Sequence, residues 1–155
     1  MEKSALESYI TNLVNLPLSY IQKISGTEFY GFGFGQVREY PSRNIPGRIN
    51  RMTDYALHIL CPFELIHRSP EHKTHFIDFE TSLQEFESIF RSLIGKRILR
   101  VRITSNNDLR IDFGSAWITT LVNGDSPGAE EAWRLFQPNS PNLHLVATQK
   151  SIDFR

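Results

Sequence analysis

The sequence predicts an α+β domain in which two helices pack on a mainly antiparallel sheet. Segments 4–16 and 82–94 place apolar residues at helical intervals, whereas most of the remaining chain alternates apolar and polar residues in short runs. These runs follow one another without intervening helices, which is typical of β-meanders rather than of alternating βαβ units. The 155 residues suffice for a hydrophobic core, so we expect a single domain over 1–155.

Both predicted helices carry residues that set their ends. Ser4 and Glu7 have the spacing of a capping box, and Pro17 ends the first helix. Thr81 is placed to cap the start of the second helix, and Gly95 suits a left-handed residue after its end.

The strands are predicted from alternation and from the turn residues between them. In the first half we expect a strand pair around a turn at Ser25-Gly26, a long loop over 36–51, and strands at 55–61 and 75–79. In the second half, a meander over 97–122 and a polar loop at 123–129 lead to 131–137, which fits strand or helix, and to short strands at 143–147 and 151–154.

The stretch YGFGFG at 30–35 alternates aromatic residues with glycines. In a strand, Tyr30, Phe32 and Phe34 share one face, which we expect to lie in the core. The glycines share the other face, and glycine in a strand often marks a close approach by another backbone or by a ligand. We expect the first helix or the 36–51 loop to cover this face; the alternative is a small-molecule or nucleotide site there.

The order of segments suggests an internal repeat, 18–80 and 96–155. Residues 20–35 and 97–114 each contain two apolar strands that end in Phe-Gly, and 75–80 and 150–155 share Ile-Asp-Phe. Residues 56–65 would then correspond to 131–139. Such self-similarity bears on the whole architecture.

The 36–51 loop is the first candidate for a binding surface, because long loops in compact domains are often functional. Arginine and tyrosine together favour contact with a protein or a phosphate. The candidate residues are Arg38, Tyr40, Arg43, Arg48 and Arg51. The alternative is a solvated loop that binds nothing.

A second candidate is the cluster Glu130-Glu131 with Trp133-Arg134. An arginine that stacks on a tryptophan and pairs with a carboxylate forms a rigid polar unit. We therefore name Trp133 and Arg134 as a structural lock or, alternatively, an exposed anchor for a partner.

No catalytic motif is present, and we expect neither an enzyme nor a cofactor. Asp112-Phe113-Gly114 matches a kinase triplet without the other kinase motifs, so Asp112 is expected to be an outward strand residue. His67, His72 and His75 are close in sequence but match no standard zinc spacing, so we expect exposed histidines and no metal. Cys61 lies in an apolar run typical of a core residue.

The charge balance narrows the class of partner. The 17 basic and 17 acidic residues cancel, which makes nucleic-acid and membrane-surface binding unlikely. The single cysteine, the lack of a signal-peptide pattern and the lack of a long apolar run favour the cytoplasm.

The segments LIGKRILRV, DLRIDFG, EEAWRLFQP and HLVAT resemble the C-terminal part of small bacterial proteins of unknown function. ALHILCPFELI is similar to a first-half stretch of those proteins, with Phe63 and Glu64 in place of a tryptophan and an arginine. Such proteins are similar to immunity proteins of bacterial toxin systems. The resemblance implies a protein that blocks a cognate toxin by binding it, and it implies no catalytic residues.

Overall fold

A computed structural model describes residues 3–23, 29–123, 131–140 and 143–155. It confirms the predicted α+β class, with two helices packed against antiparallel sheets. The helices are α1 (Lys3–Thr11) and α2 (Leu83–Phe90), the latter followed by a 3-10 turn, Arg91–Leu93. The strands are β1 (Leu18–Lys23), β2 (Tyr30–Phe34), β3 (Arg38–Pro41), β4 (Ile49–Met52), β5 (Tyr55–Ile59), β6 (Phe63–His67), β7 (Thr74–Ile77), β8 (Arg100–Ile103), β9 (Leu109–Asp112), β10 (Ala116–Thr120), β11 (Trp133–Phe136), β12 (His144–Ala147) and β13 (Ile152–Phe154).

Three sequence-based predictions fall wholly or mainly outside the described residues. They are the turn at Ser25-Gly26, the polar loop at 123–129 beyond its first residue, and the position of Glu130.

The helices are shorter than predicted. α1 ends at Thr11, before Pro17, and turns follow to residue 15; the Thr11 hydroxyl donates to the Glu7 carbonyl at 2.6 Å. Ser4 lies inside α1, so it is not the N-cap that the predicted capping box requires. The cap of α2 is Ser82 rather than Thr81, because the Ser82 hydroxyl accepts the Glu85 N–H at 3.1 Å.

The strands form two large sheets and a separate hairpin rather than one sheet. The first sheet has six strands in the order β1-β2-β5-β11-β12-β13, and the second has five in the order β7-β6-β10-β9-β8. The hairpin is β3-β4. The segment predicted as one strand through Cys61 therefore ends at Ile59, and the chain crosses to the second sheet before β6. Residues 131–137, which fitted strand or helix, contain strand β11.

Aromatic side chains fill the core between the sheets and α2. Tyr30, Phe32 and Phe34 are buried, which confirms the predicted inward face of β2. The ring of Phe32 lies 5.9 Å from that of Phe63 and 5.4 Å from that of Phe90, both in edge-to-face geometry.

The glycine face of β2 is covered by the neighbouring strand. A Cβ atom at Gly33 would lie 2.7 Å from Cζ of Tyr20, and one at Gly31 would lie 2.8 Å from Cγ of Gln22. Both side chains belong to β1, whose residues pair directly with these glycines. The glycines are therefore covered directly by two β1 side chains, which occupy the space that the missing Cβ atoms leave, and not by α1 or the 36–51 segment as predicted. The 36–51 segment lies beyond these side chains, across a groove from Tyr20 and Gln22.

The two halves of the chain exchange strands. The first half supplies β1, β2 and β5 to the first sheet and then β6 and β7 to the second sheet. The second half supplies β8, β9 and β10 to the second sheet and then β11, β12 and β13 to the first. In the same reciprocal way, α1 packs against β8 and α2 packs against β1.

Backbone hydrogen bonds also join the corresponding segments of the two halves. The Leu18 N–H donates to the Lys96 carbonyl, and the Ile98 N–H donates to the Leu16 carbonyl, both at 2.9 Å. The segment that leads into β1 therefore pairs with the segment that leads into β8.

The residues that end the two helical segments also correspond. Asn15 and Gly95 both adopt a left-handed conformation, with φ of 74° and 90°. Each donates its N–H at 2.7 Å across to the other half, to Ile98 and Leu18 respectively. Gly95 thus occupies the left-handed position that its sequence context predicts.

The topology agrees with part of the predicted correspondence between halves. β1-β2 takes the same place as β8-β9, as the match of 20–35 with 97–114 predicts. By strand order, β7 corresponds to β12 rather than to β13, so the match of 75–80 with 150–155 does not follow the topology. Likewise, 56–65 spans β5 and the start of β6, whereas 131–139 contains β11 alone. An origin by duplication stays a prediction.

We predict that Gly35→Ala destabilises the fold. Gly35 has a φ of +97°, and a Cβ atom there would lie 2.8 Å from Cβ of Asp54. We expect a loss of about 1–3 kcal/mol in the free energy of unfolding, since strained backbone and a clash are combined. Gly47→Ala is the matched control, because its φ is also positive, at +80°, but no described atom lies within 4 Å. Urea unfolding of both variants measures the difference, and an equal loss at both positions would contradict a role for the Asp54 contact.

Candidate interaction surfaces

The 36–51 segment is a hairpin rather than a loop, so its prediction as unstructured is wrong. Arg38 pairs with Met52 and Tyr40 pairs with Asn50 in the antiparallel ladder of β3 and β4. The connection is closed by the Ser42 N–H, which donates to the Arg48 carbonyl at 2.7 Å. The prolines that suggested a loop are accommodated at the end of β3 and in the connection, outside the middle of a sheet.

The hairpin is an insertion into the first half only. It connects β2 to β5, whereas three residues, Phe113–Ser115, connect the corresponding strands β9 and β10. β3 and β4 pair with no other strand among the described residues. An isolated two-stranded hairpin contributes little stability of its own.

Ion pairs hold the base and the strands of the hairpin. Arg51 lies 3.7 Å from the carboxylate of Glu39, its direct cross-strand partner, and Arg38 lies 3.7 Å from that of Asp54. Both pairs are exposed, so each stabilises the fold by less than about 1 kcal/mol. The charges of Arg38 and Arg51 are thus partly neutralised within the protein itself.

The tip of the hairpin combines exposed cations with exposed apolar side chains. Arg43 and Arg48 are exposed and have no acidic partner within the described part of the chain. Ile45 and Ile49 are 47% and 62% exposed. We call these four residues the hairpin tip.

A groove separates the hairpin from the edge strand β1. It has a volume of about 630 Å³, and Tyr20 and Gln22 line one wall. Arg51 and Met52 line the opposite wall. Arg48 and Ile49 of the hairpin tip also border this groove, whereas Arg38 does not line it. Tyr40 is half-buried on β3.

Trp133 and Arg134 point to opposite sides of the first sheet. Trp133 is fully buried, and its Nε1–H donates to the Asn107 carbonyl at 2.9 Å. The predicted stacking of Arg134 on Trp133 is therefore wrong, because adjacent residues of a strand alternate between faces. Burial also rules out Trp133 as a contact residue in the folded protein.

Arg134 lies in a polar cluster on the outer face of the first sheet. Its guanidinium binds Glu131 through two hydrogen bonds of 2.5 and 3.1 Å, so the predicted pairing with a carboxylate is present. A third nitrogen lies 2.9 Å from Nδ1 of His144. The charge of Arg134 is thus already matched, which leaves it little attraction for an acidic partner.

Two histidines beside Arg134 pack against aromatic rings. His144 stacks on Phe136 with ring centres 4.6 Å apart, and His58 lies 4.7 Å from Phe29. Burial, with the positive charge of Arg134 adding to it, lowers the pKa of both His58 and His144 below the ordinary value of 6.5.

The histidines at 67, 72 and 75 do not form a three-ligand cluster. His67 and His75 are half-buried on β6 and β7, so the prediction of exposed loop histidines holds for His72 alone. The rings of His67 and His75 lie 5.4 Å apart on neighbouring strands, and His72 is in the connecting turn with a φ of 46°. Within the described ranges, no group of three or more His, Cys, Asp or Glu side chains is arranged to hold a metal ion.

Cys61 is a core residue, as its apolar context predicts. It is 4% exposed, and burial raises the pKa of its thiol to about 12. The thiolate is therefore too scarce near neutral pH for nucleophilic chemistry.

One cluster was missed from the sequence. Asp112 lies on the outer face of the second sheet, as predicted, but it is buried there beneath arginines and beside Trp117. The sequence did contain a signal for this cluster. In LRVRI, Arg100 and Arg102 are two residues apart, which places both on the same face of a strand.

We predict that the histidines beside Arg134 make stability depend on pH. Because the folded-state pKa of His58 is lowered, the unfolded chain binds more protons near pH 6 than the folded chain does. The free energy of unfolding should therefore fall as the pH drops from about 6.5 toward 5. His58→Gln should flatten this slope, whereas the exposed His72→Gln serves as the matched control. Urea unfolding at several pH values tests this, and a slope unchanged by His58→Gln would contradict it.

None of the described helices is long and apolar enough to cross a membrane. Comparison with protein-family models, with curated proteins and with solved structures gives no match to this chain.

Proposed function

We propose that this protein is a non-catalytic binding protein, most concretely a cytoplasmic immunity-type inhibitor that blocks a cognate bacterial toxin by covering it. The observation that carries the proposal is the hairpin tip. It lies on an insertion that belongs to neither large sheet, and it presents two arginines beside two exposed isoleucines.

The chemistry of the tip suits a protein partner. Exposed isoleucines gain free energy when a partner covers them, at about 25 cal/mol per Å² of apolar surface. Arginine is enriched in protein interfaces and at their energetic hot spots. Arg43 and Arg48 are free of ion pairs with described residues, so they have no intramolecular carboxylate to give up on binding.

The resemblance to immunity proteins supports the finer part of the proposal. A protein of that kind acts by occlusion, which needs a projecting contact surface and no catalytic group. The alternative of a small-molecule or nucleotide site on the glycine face has no specific observation in its favour, because Tyr20 and Gln22 fill that space.

The test begins with capture of a partner by the tagged 155-residue chain. We expect one protein in equal stoichiometry, in a complex that buries on the order of 1,600 Å² in total. Co-expression should restore growth to cells that make this partner. A partner that is not toxic, or growth that is not restored, would contradict the immunity function.

We predict that Arg43→Ala with Arg48→Ala weakens this complex at least tenfold, or about 1.4 kcal/mol in binding free energy. Ile45→Ser with Ile49→Ser should weaken it further, because apolar contact is lost. The matched control is Lys73→Ala with Arg91→Ala, which removes two exposed cations elsewhere. Calorimetric titration measures all three, and equal affinity of the tip variant and the control would remove the hairpin from the interface.

A further inference from the structure

Trp117 is the centre of an arginine cluster on the outer face of the second sheet. It lies on the middle strand, β10. The guanidinium carbon of Arg110 lies 4.4 Å from the centre of its ring, and that of Arg68 lies 5.0 Å away. The two arginines are thus held against an aromatic surface by cation–π contact.

A buried carboxylate holds the cluster together from below. Asp112 pairs with Arg68 at 2.5 Å and with Arg100 at 3.8 Å, and its other oxygen accepts the Gly114 N–H at 2.8 Å. Asp112 is 6% exposed, whereas the arginine side chains that it pairs with remain partly open to solvent. Asp112 therefore positions Arg68 and Arg100 before any partner binds.

The cluster contains an arginine, Arg102, that forms no ion pair with a described residue. Arg102 lies directly opposite Arg110 in the ladder of β8 and β9, and like charges in that position repel. Arg102 has no acidic partner among the described residues. Burial, followed by the nearby charge of Arg102, lowers the pKa of Arg110, which indicates that the cationic form of Arg110 is disfavoured here.

Acidic residues on this face do not balance the arginines. Besides Asp112, Glu64 lies on the same face, where it pairs with Thr119 on β10 and with Phe76 on β7. The face therefore has four arginines and two carboxylates. At the opposite edge from the arginines, Phe76 is 55% exposed.

We propose that the outer face of the second sheet binds an acidic segment of a partner protein, with carboxylates on Arg102 and Arg110 and an apolar side chain toward Phe76. Carboxylates accept paired hydrogen bonds from guanidinium groups. Of the two arginines, Arg110 is held by stacking on Trp117, so it loses less freedom on binding. An anion between Arg102 and Arg110 would also remove their repulsion. This proposal does not rest on the hairpin or on the immunity function.

One observation favours a protein segment over a nucleic acid. Guanidinium groups already pack against the Trp117 ring, which limits its use as a platform for stacked bases.

The test uses a fluorescein-labelled peptide of ten glutamates with a central phenylalanine, titrated with the full chain at low salt. We expect saturable binding that Arg102→Gln with Arg110→Gln weakens at least tenfold. Arg91→Gln with Arg155→Gln, which removes two exposed arginines outside both proposed surfaces, is the control and should leave the affinity unchanged. Absence of saturable binding, or equal loss in the control, would overturn the proposal.

A second arm distinguishes the class of partner. Labelled single-stranded dT10 is titrated under the same conditions, and tighter binding of dT10 through Arg102 and Arg110 would overturn the protein-segment proposal in favour of nucleic acid.

A third arm needs no ligand. Since Arg102 and Arg110 repel each other, Arg102→Gln should raise the melting temperature at low salt, and added salt should reduce the gain. A lower melting temperature would show that Arg102 serves the fold, which would overturn its assignment to binding.

Discussion

The exchange of strands between the two halves is the constraint on which the rest of the structure depends. Where the halves join in the first sheet, Leu57 of β5 lies opposite Leu135 of β11. Where they join in the second sheet, Ile118 of β10 lies opposite Leu65 of β6. All four side chains are buried, so neither sheet reaches its full width or covers its apolar face from one half alone. These contacts join residues that are far apart in sequence, so forming them costs loop-closure entropy. The contacts offset that cost only when both halves are in place.

The exchange of strands also allows the two halves to be compared position by position. The core positions of the halves match, but the outer faces differ. At Gly31 and Gly33 the first sheet has glycines beneath Gln22 and Tyr20, whereas the corresponding strand of the second sheet has Arg110 and Asp112. The hairpin lies in the first half only. Side chains that the core does not constrain are thus the ones that carry charge and exposed apolar surface, which is expected of surfaces that bind partners.

The sequence predicts the parts of the fold that depend on local pattern. Alternation places Phe32 in the core, and Gly95 occupies the left-handed position expected after a helix. The hairpin was not predicted because its prolines and weak alternation resemble a loop, although Glu39 and Arg51 form a cross-strand pair. The pattern of 131–137 fitted either a strand or a helix because β11 has four residues, too few to distinguish the two periods.

The candidate surfaces depend on how the strands pair and pack, which the sequence of one strand does not reveal. Assigning 133–136 as a strand would have separated Trp133 from Arg134, since neighbours alternate between faces. The arginine cluster around Trp117 requires the register that sets Arg102 opposite Arg110, and register follows from tertiary packing. Exposure of the hairpin tip likewise follows from its place outside both sheets.

Native-state hydrogen exchange in low urea tests the interdependence of the halves most directly. Strand exchange predicts that the most protected amides of β5 and β11 in the first sheet, and of β6 and β10 in the second, exchange through one opening event with a common free energy and a common dependence on urea. Two separate free energies, one for each sheet or one for each half, would contradict the claim that neither half folds without the other.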